Sequence, residues 1–492
     1  MRLLTELMVR ARIDGAELLG GGKEVYIRDM TVDSRRVQPG DLFIAVPGTK
    51  TDGTDFIANA LSHGAAALVL PKDVDAAAAA IVPVLKVPDI RAAVSALAAA
   101  FFTRKPRHML TVTGTDGKTS TVEFARQMAT FLGEKAASIG TLGLRSPIRA
   151  LNEVFPKKNT SPEPILLHRT LQALASSGVK YVAIESSSHG LEQKRVDGIK
   201  FTAGAFTNIS RDHLDYHGTM EAYFAAKARL FNHVLPSRAT AILNADDAQA
   251  ISLKRMCLDR RLSVRTFGWA DSDYQILEAT PHPRGLKARL RLEGREVAIE
   301  LPHYGLFQLQ NMLTAYGLMR TTGAASAQLI PLFEKLQGIH GRLERVAMHP
   351  SVAPIFIDYA HTPAALENIL KTLRQHTVNH LHVVFGCGGD RDPGKRPEMG
   401  SVAVTYADHV IVTDDNPRNE NPAKIRAEIM ATALGAKEIG DRREAIHVAV
   451  RQLAKGDVLV VAGKGHETTQ TIGNQVLEFD DAAIIREAVA AL

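Results

Sequence analysis

Short runs that are apolar at nearly every position recur along the chain. Each ends in a polar or glycine-rich turn, and most lead into a helical stretch. They are 109-MLTVTG, 181-YVAIESSS, 204-GAFTNIS, 241-AILNADD, 354-PIFIDYA, 381-LHVVFGCGG, 409-HVIVTDD and 457-DVLVVAGKG. A strand apolar on both faces belongs in a sheet covered on both sides, and intervening helices make such a sheet parallel. The pattern predicts an α/β protein whose sites lie at the C-terminal ends of its strands. One alternating stretch, 286-LKARLRLEGREVAIEL, predicts a hairpin instead.

Three domains follow from this pattern. Residues 1–106 carry a small α/β pattern that ends in an Ala-rich helical stretch and the linker Arg104–Arg107. Its first residues, MRLLTELMVRARID, read as an amphipathic helix, and the pentad Ala76–Ala80 as helix. Residues 107–338 form a central parallel-sheet domain. Residues 339–492 form a third, Rossmann-like domain entered through the linker Gly338–Arg342.

A chain of 492 residues with 45% hydrophobic and 23% charged residues is ordinary globular composition and gives no indication of disorder. Its net charge of +6 comes from 59 basic and 53 acidic side chains, interspersed, with aromatics at only 5%. That argues against nucleic acid and suits an anionic small substrate. Cys257 and Cys387 are too few for a disulfide framework or a zinc site, and read as free thiols of a reducing cytosol. The charged N-terminus is no signal peptide, and the longest apolar run, Ala92–Phe102, is too short to span a bilayer. A cytoplasmic monomer is expected.

The strongest local signal is 111-TVTGTDGKTSTVEF. Gly114, Thr115, Asp116, Gly117, Lys118, Thr119 and Ser120 follow a strand and open a helix. Such a loop cradles nucleotide phosphates with backbone N–H groups at a helix N-terminus. Lys118 is expected at the β/γ-phosphates and the Thr119 hydroxyl on Mg²⁺. Glu185 ends the strand 181-YVAIE, where a second Mg²⁺ ligand belongs. The turns 186-SSSHG and 207-TNISRDHLDYHG follow. Then comes 223-YFAAKARLF, in which Lys227 by itself reads as a snorkelling lysine.

The ordered set GTDGKTS, ESSSHGL, SRDHLDYHG, YFAAKARLF, GRLE, DYAHTP, DDNPR and GKGHE resembles the Mur ligase family over essentially the whole chain. The resemblance implies an ATP-dependent amide-bond ligase that works through an acyl phosphate. Its closest match is the branch that adds meso-diaminopimelate to UDP-N-acetylmuramoyl-L-alanyl-D-glutamate in peptidoglycan synthesis. It implies that Lys227 is carbamylated by CO₂, becoming a carboxylate that bridges Mg²⁺, and that His213 joins Thr119 and Glu185 as a metal ligand. It implies ATP contacts from Asn311, Arg342 and Asp358 in addition to the phosphate loop. The first domain is implied to hold the uridine diphosphate end through Val32, Ser34, Thr49, Lys50 and Thr51. Asn159, Thr160, Ser161, Ser187, Gln193 and Arg195 are implied to meet the sugar and peptide. Arg391, Asp415, Asn416, Pro417, Arg418, Gly463 and Glu467 are implied to hold diaminopimelate. An arginine there would grip the distal carboxylate, which lysine lacks, with two parallel hydrogen bonds and repel lysine's ammonium.

Four positions depart from the family's usual residues. Asp116 and Gln308 stand for Asn, His340 for Pro, and Ser161 for Thr. An ionised Asp116 near the γ-phosphate would weaken binding unless only its backbone N–H is used. The lysine-adding branch of the family, a folate-extending ligase and a nucleotide-gated binding protein are the competing readings.

Overall fold

The chain forms two compact units, Met1–Phe267 with Thr314–Ser326, and Gly268–Leu313 with Ala327–Leu492. The computed structural model describes residues 1–20, 24–48, 52–75, 77–156, 160–282 and 285–492, without the side chains of Ala79 and Asp215.

In the first unit the N-terminal helix Leu4–Ala11 buries Leu4 and Leu7, as its amphipathic pattern requires. A small sheet runs Glu17–Leu19, Val84–Val87, Ala67–Pro71, Leu42–Ile44, Met30–Thr31, parallel after its first pair. The Ala-rich helix Ile90–Phe101, capped by Asp89, packs Val94 and Leu97 against it. Ala77–Ala80 form a 3₁₀ turn, and Ala76 lies outside the described residues.

The same unit holds a larger sheet in the order Gly143–Arg145, Ala136–Gly140, Tyr181–Glu185, His108–Thr113, Ala203–Phe206, Thr240–Asn244, Ser263–Gly268. All of its neighbours are parallel from Ala136–Gly140 to Ser263–Gly268. The strand Ala136–Gly140, sequence AASIG, had no signal in the apolar pattern. It is a strand because burial between its neighbours supplies what its small residues lack.

His168 is fully buried on the helix Pro164–Ser176, with Nε2 3.2 Å from the Asp197 carbonyl oxygen. Burial, with Lys105 nearby, holds its imidazole down at about 3, against an ordinary 6.5. Below pH 6.5 the unfolded chain therefore takes up a proton that the fold refuses. The contribution is fully present above 6.5 and falls by about 1.4 kcal/mol per pH unit as pH drops towards 3. Thermal melts should show the first unit losing stability from pH 7 to pH 5, and His168→Gln should flatten that slope.

In the second unit Tyr274–His282, Gly285–Leu292 and Arg295–Leu301 form an antiparallel meander. The expected hairpin is its second half. Glu293 (φ 52°) and Gly294 (φ 82°) make the two-residue turn whose positive φ values match strand twist. The C-terminal sheet runs Glu344–Met348, Pro354–Asp358, Val458–Ala462, Leu381–Phe385, His409–Val412, Lys437–Glu438, parallel after its first pair. Helices pack on both faces, giving two separate apolar layers. Arg442 and Asp481 form a fully buried two-point ion pair (2.8 and 2.7 Å), and Arg442 also donates to the Ala462 carbonyl at the end of a central strand.

Both cysteines are free and buried, and burial pushes their thiols up to about 12. Among the described residues no helix is long and apolar enough to cross a membrane.

Candidate active site

The phosphate loop leaves the strand His108–Thr113 at the middle of the larger sheet and enters the helix Lys118–Phe131 through Gly117, φ 82°. Gly114 sits at φ 148°, and a Cβ there would lie 1.9 Å from Thr207 Oγ1, so only glycine fits. The next strand's loop pins this one. Thr115 N–H donates to the Asn208 carbonyl (2.9 Å), Asp116 N–H to Asn208 Oδ1 (2.9 Å), and Thr207 Oγ1 to the Asp116 carbonyl (2.6 Å). The Asp116 N–H is thus engaged by Asn208, and its side chain stands exposed in solvent. Lys118 Nζ folds back onto the carbonyls of Gly114 (2.8 Å) and Thr115 (2.6 Å). Thr119 and Ser120 are buried in the first helical turn.

Lys227 does not snorkel. It is 1% exposed, on the helix Met220–Arg229, and its Nζ donates to the same Gly114 carbonyl at 2.7 Å. Tyr223, four residues earlier on that helix, puts its ring 4.2 Å from Nζ, and its hydroxyl lies 3.2 Å from Thr115 Oγ1. Burial, reinforced by the Lys118 charge, holds the Lys227 amine well below its ordinary value, with Asp212 and Asp116 acting weakly the other way. A neutral, nucleophilic amine is the form that reacts with CO₂.

Glu185 is 1% exposed, and its carboxylate accepts from Thr141 N–H (2.9 Å) and Thr141 Oγ1 (3.1 Å). Thr141 Oγ1 in turn lies 3.2 Å from Thr160 Oγ1. Ser161 Oγ donates to the Glu185 carbonyl (3.0 Å) and accepts from Ser187 N–H (3.0 Å). Arg195 donates to the Ser161 carbonyl (2.8 Å) and to Gln193 Oε1 (2.6 Å), and Gln193 Nε2 reaches the Tyr216 hydroxyl (3.1 Å). One network therefore joins Glu185, Thr160, Ser161, Ser187, Gln193 and Arg195. Asn159 lies outside the described residues.

His213 is exposed at φ 52°, 3.4 Å from Asp212 Oδ2, with its ring 6.2 Å from that of Tyr223. No three His, Cys, Asp or Glu side chains assemble as a metal site among the described residues. Only two of the expected donors, the Glu185 carboxylate and the His213 imidazole, are of that kind; the others are the Thr119 hydroxyl and a carbamate oxygen. The three oxygen donors of this set suit Mg²⁺.

In the smaller sheet Val32 and Ser34 follow Met30–Thr31, and Ser34 is buried in a turn capped by Asp33. Thr49, Lys50 and Thr51 follow the neighbouring parallel strand Leu42–Ile44 but lie outside the described residues. Arg169 Nη2 donates to Asp29 Oδ1 (2.7 Å) and Ser95 Oγ, on the helix Ile90–Phe101, to the Lys194 carbonyl (2.6 Å), tying this sheet and its helix to the larger domain.

In the second unit Arg342 lies 4.7 Å over the Tyr359 ring. Asp358 Oδ2 accepts from Leu343 N–H (2.6 Å) and Oδ1 from Ala360 N–H (2.7 Å), so both oxygens already hold backbone. Asn311 is buried and donates to Gln308 Oε1 at 3.3 Å. His340 bonds Glu344 Oε2 at 2.8 Å, a side-chain clamp on the linker where the family's proline would restrict φ.

Around the C-terminal ends of this unit's strands, Asn416 Nδ2 donates to Glu467 Oε2 (2.9 Å) and Arg418 Nη1 to the Gly389 carbonyl (2.7 Å). A Cβ at Gly389 would meet the Pro417 carbonyl oxygen at 2.0 Å, so glycine is required there. Gly463 abuts Asp415, whose carboxylate would stand 2.7 Å from a Cβ at that position. Arg391 is exposed on the next turn of the Gly389 loop. Burial raises the Tyr359 phenol, with Glu467 and Asp415 acting in the same direction and Arg342 and Arg391 against it. The sequence reading gave each of these a role except Tyr359, which the DYAHTP motif contains. Tyr223, Asn208, Thr141 and Tyr216 were missed as well. All but Thr141 lie inside quoted motifs, and Tyr223 also stands at helical spacing from Lys227.

Three family models match the chain in succession. They are described as Mur ligase family, catalytic domain (residues 26–102), Mur ligase middle domain (112–319) and Mur ligase, glutamate ligase domain (341–465). Together they give a three-domain α/β architecture. The UDP-N-acetylmuramoyl-L-alanyl-D-glutamate--2,6-diaminopimelate ligase of Brucella melitensis is 49% identical over 476 residues, 96% of each chain. The ligase of the same name from Rhizobium meliloti is 47% identical over 97% of each chain. A solved structure of such a ligase is 34% identical, with a TM-score of 0.71 over 94% of this chain and 95% of that one. A MurF ligase from Thermotoga maritima in complex with ADP shares the fold, with a TM-score of 0.60 at 18% identity over 96% of this chain and 98% of that one.

Proposed function

We propose, from the premise that this chain belongs to the Mur ligase family, that it joins meso-2,6-diaminopimelate to the D-glutamyl carboxylate of UDP-N-acetylmuramoyl-L-alanyl-D-glutamate. It is an ATP-dependent ligase, and the reaction passes through an acyl phosphate. Peptidoglycan precursor synthesis in the cytoplasm is its setting, and its domains are 1–106, 107–338 and 339–492.

Gly114 to Ser120 receive the ATP phosphates. What supports Lys118 as the γ-phosphate contact is its pairing with two loop carbonyls, acceptors that phosphate oxygens replace. Asn311, Arg342 and Asp358 are the remaining ATP groups, with Asp358 also bracing the linker. Thr119, Glu185, His213 and carbamylated Lys227 hold Mg²⁺, which supplies neutralisation of charge developing on the transferred phosphoryl group. Burial of Lys227 beside Lys118 supports the carbamate, since conversion to an anion replaces a disfavoured buried cation. Val32, Ser34 and 49-TKT take the uridine end. Asn159, Thr160, Ser161, Ser187, Gln193 and Arg195 orient the sugar and peptide. Catalysis is then positioning and charge stabilisation.

One observation carries the choice of amino acid. The Arg418 guanidinium is anchored through Nη1 to the Gly389 carbonyl, on the same DNPR turn as the Asn416–Glu467 bond. That leaves further N–H groups of the fork for a second carboxylate, with Arg391, Asp415, Pro417 and Gly463 completing the pocket. The test is phosphate release from ATP in the presence of the UDP-dipeptide. Release is expected with meso-diaminopimelate and not with L-lysine. A preference for lysine would overturn the pocket reading, and no release with either would overturn the substrate assignment.

A further inference from the structure

Lys464 is the one residue of the 463-GKGHE stretch whose side chain is wholly enclosed, at 0% exposure. An ammonium has three donors, and three acceptors meet this one. Nζ lies 2.6 Å from the Thr469 carbonyl, 3.3 Å from Asn416 Oδ1 and 3.4 Å from Glu467 Oε2. The Thr469 carbonyl begins the hairpin of Thr469–Ile472 and Gln475–Glu478. Asn416 belongs to the DNPR turn and Glu467 to the loop after Val458–Ala462. A single buried cation therefore ties the stretch from Lys464 to Thr469, which enters the hairpin, to the DNPR turn 48 residues earlier.

The ties set the chemistry of what they hold. Asn416 Oδ1 faces two donors, Lys464 Nζ and Thr471 N–H (3.0 Å), while Nδ2 faces the Glu467 carboxylate (2.9 Å). The amide is thereby oriented in one sense, because the flipped form would set its NH₂ against two donors. Glu467 spends Oε2 on Asn416 and Lys464, and Oε1 remains for a ligand. The hairpin in turn holds Arg418. Arg418 N–H donates to the Thr471 carbonyl (3.0 Å), and the Arg418 carbonyl accepts from Gly473 N–H (2.7 Å). Arg418 keeps φ 49°, a left-handed backbone that needs such bracing.

We infer that Lys464 is a positioning residue of the amino-acid site, setting the orientation of Asn416 and Glu467 and the seat of Arg418 for an amino acid with two charged ends. The inference rests on the reading of this pocket as the diaminopimelate site. Lys464 touches no substrate. It acts by keeping the binding groups in the geometry that the ligand requires.

The experiment compares steady-state kinetics of the full chain with those of Lys464→Met, which keeps an unbranched apolar stem and removes every donor, and Lys464→Gln, which keeps an uncharged donor. KM for meso-diaminopimelate is expected to rise about 10- to 100-fold in Lys464→Met, with less than twofold change in KM for ATP and for the UDP-dipeptide. Lys464→Gln is expected to lie between it and the parent, and gives the same readout if Lys464→Met does not fold. An unchanged KM for diaminopimelate, or a parallel loss in kcat with every KM preserved, would overturn the inference and leave a merely structural lysine. Failure of the parent chain to use diaminopimelate would overturn the pocket reading itself, so the two failures are distinguishable.

Discussion

Lys227→Ala is expected to lower turnover roughly a thousandfold, the scale on which single charge-stabilising groups act at a transferring centre. The side chain is enclosed and bonded to the Gly114 carbonyl, and burial together with Lys118 disfavours its charged form. If its work were that of a cation, Lys227→Arg would retain it. If its work is that of a carbamate, Lys227→Arg is as inactive as Lys227→Ala, because guanidinium does not add CO₂ at neutral pH. Formate or acetate should restore part of the activity of Lys227→Ala, by placing a carboxylate in the space left beside Tyr223. Lys118→Ala should show no such rescue. An independent readout is a carbamate resonance in the NMR spectrum under isotope-labelled carbon dioxide, present in the parent and lost in both Lys227 variants. An active Lys227→Arg variant without that resonance would remove the carbamate from the mechanism.

Arg418→Asn is expected to have the second large effect, and on specificity. Asparagine tolerates the left-handed backbone that Arg418 adopts at φ 49°, so the substitution removes the guanidinium with the least added strain. Losing two charge-assisted hydrogen bonds to the distal carboxylate costs about 3 kcal/mol or more, a hundredfold or more in kcat/KM for meso-diaminopimelate. The guanidinium's repulsion of an ammonium disappears at the same time, so kcat/KM for L-lysine should hold or rise. The ratio of the two constants, measured on one preparation, is the quantity to compare. A ratio that stays with diaminopimelate would move recognition of the second carboxylate to Arg391 or another group.

Both predictions start from residues that the sequence singled out, yet for Lys227 the sequence by itself favoured the opposite environment. A lysine among apolar neighbours ordinarily carries its amine out to water. Whether it does so depends on what packs over the helix face, and here that is the phosphate loop, 113 residues away in the chain. The position of Glu185 at a strand end was legible. Its satisfaction by Thr141 was not, because Thr141 follows Ala136–Gly140, a strand made by its neighbours rather than by its residues.

What the sequence determined by itself is what short-range chemistry decides. The parallel α/β class follows from apolar runs of strand length with helices between them. The phosphate loop follows from glycines and a lysine at one strand–helix junction, and the hairpin from the alternation in 286-LKARLRLEGREVAIEL. The ordered motifs carried the family because each keeps its residue types within a few positions. Only the tertiary structure decided which motif meets which. The bond from Asp116 N–H to Asn208, the enclosure of Lys227 and the bond from Lys464 to Asn416 all join residues from separate strands or loops. Such contacts are set by sheet order and by close packing between layers, and neither is written in the local pattern of any one segment.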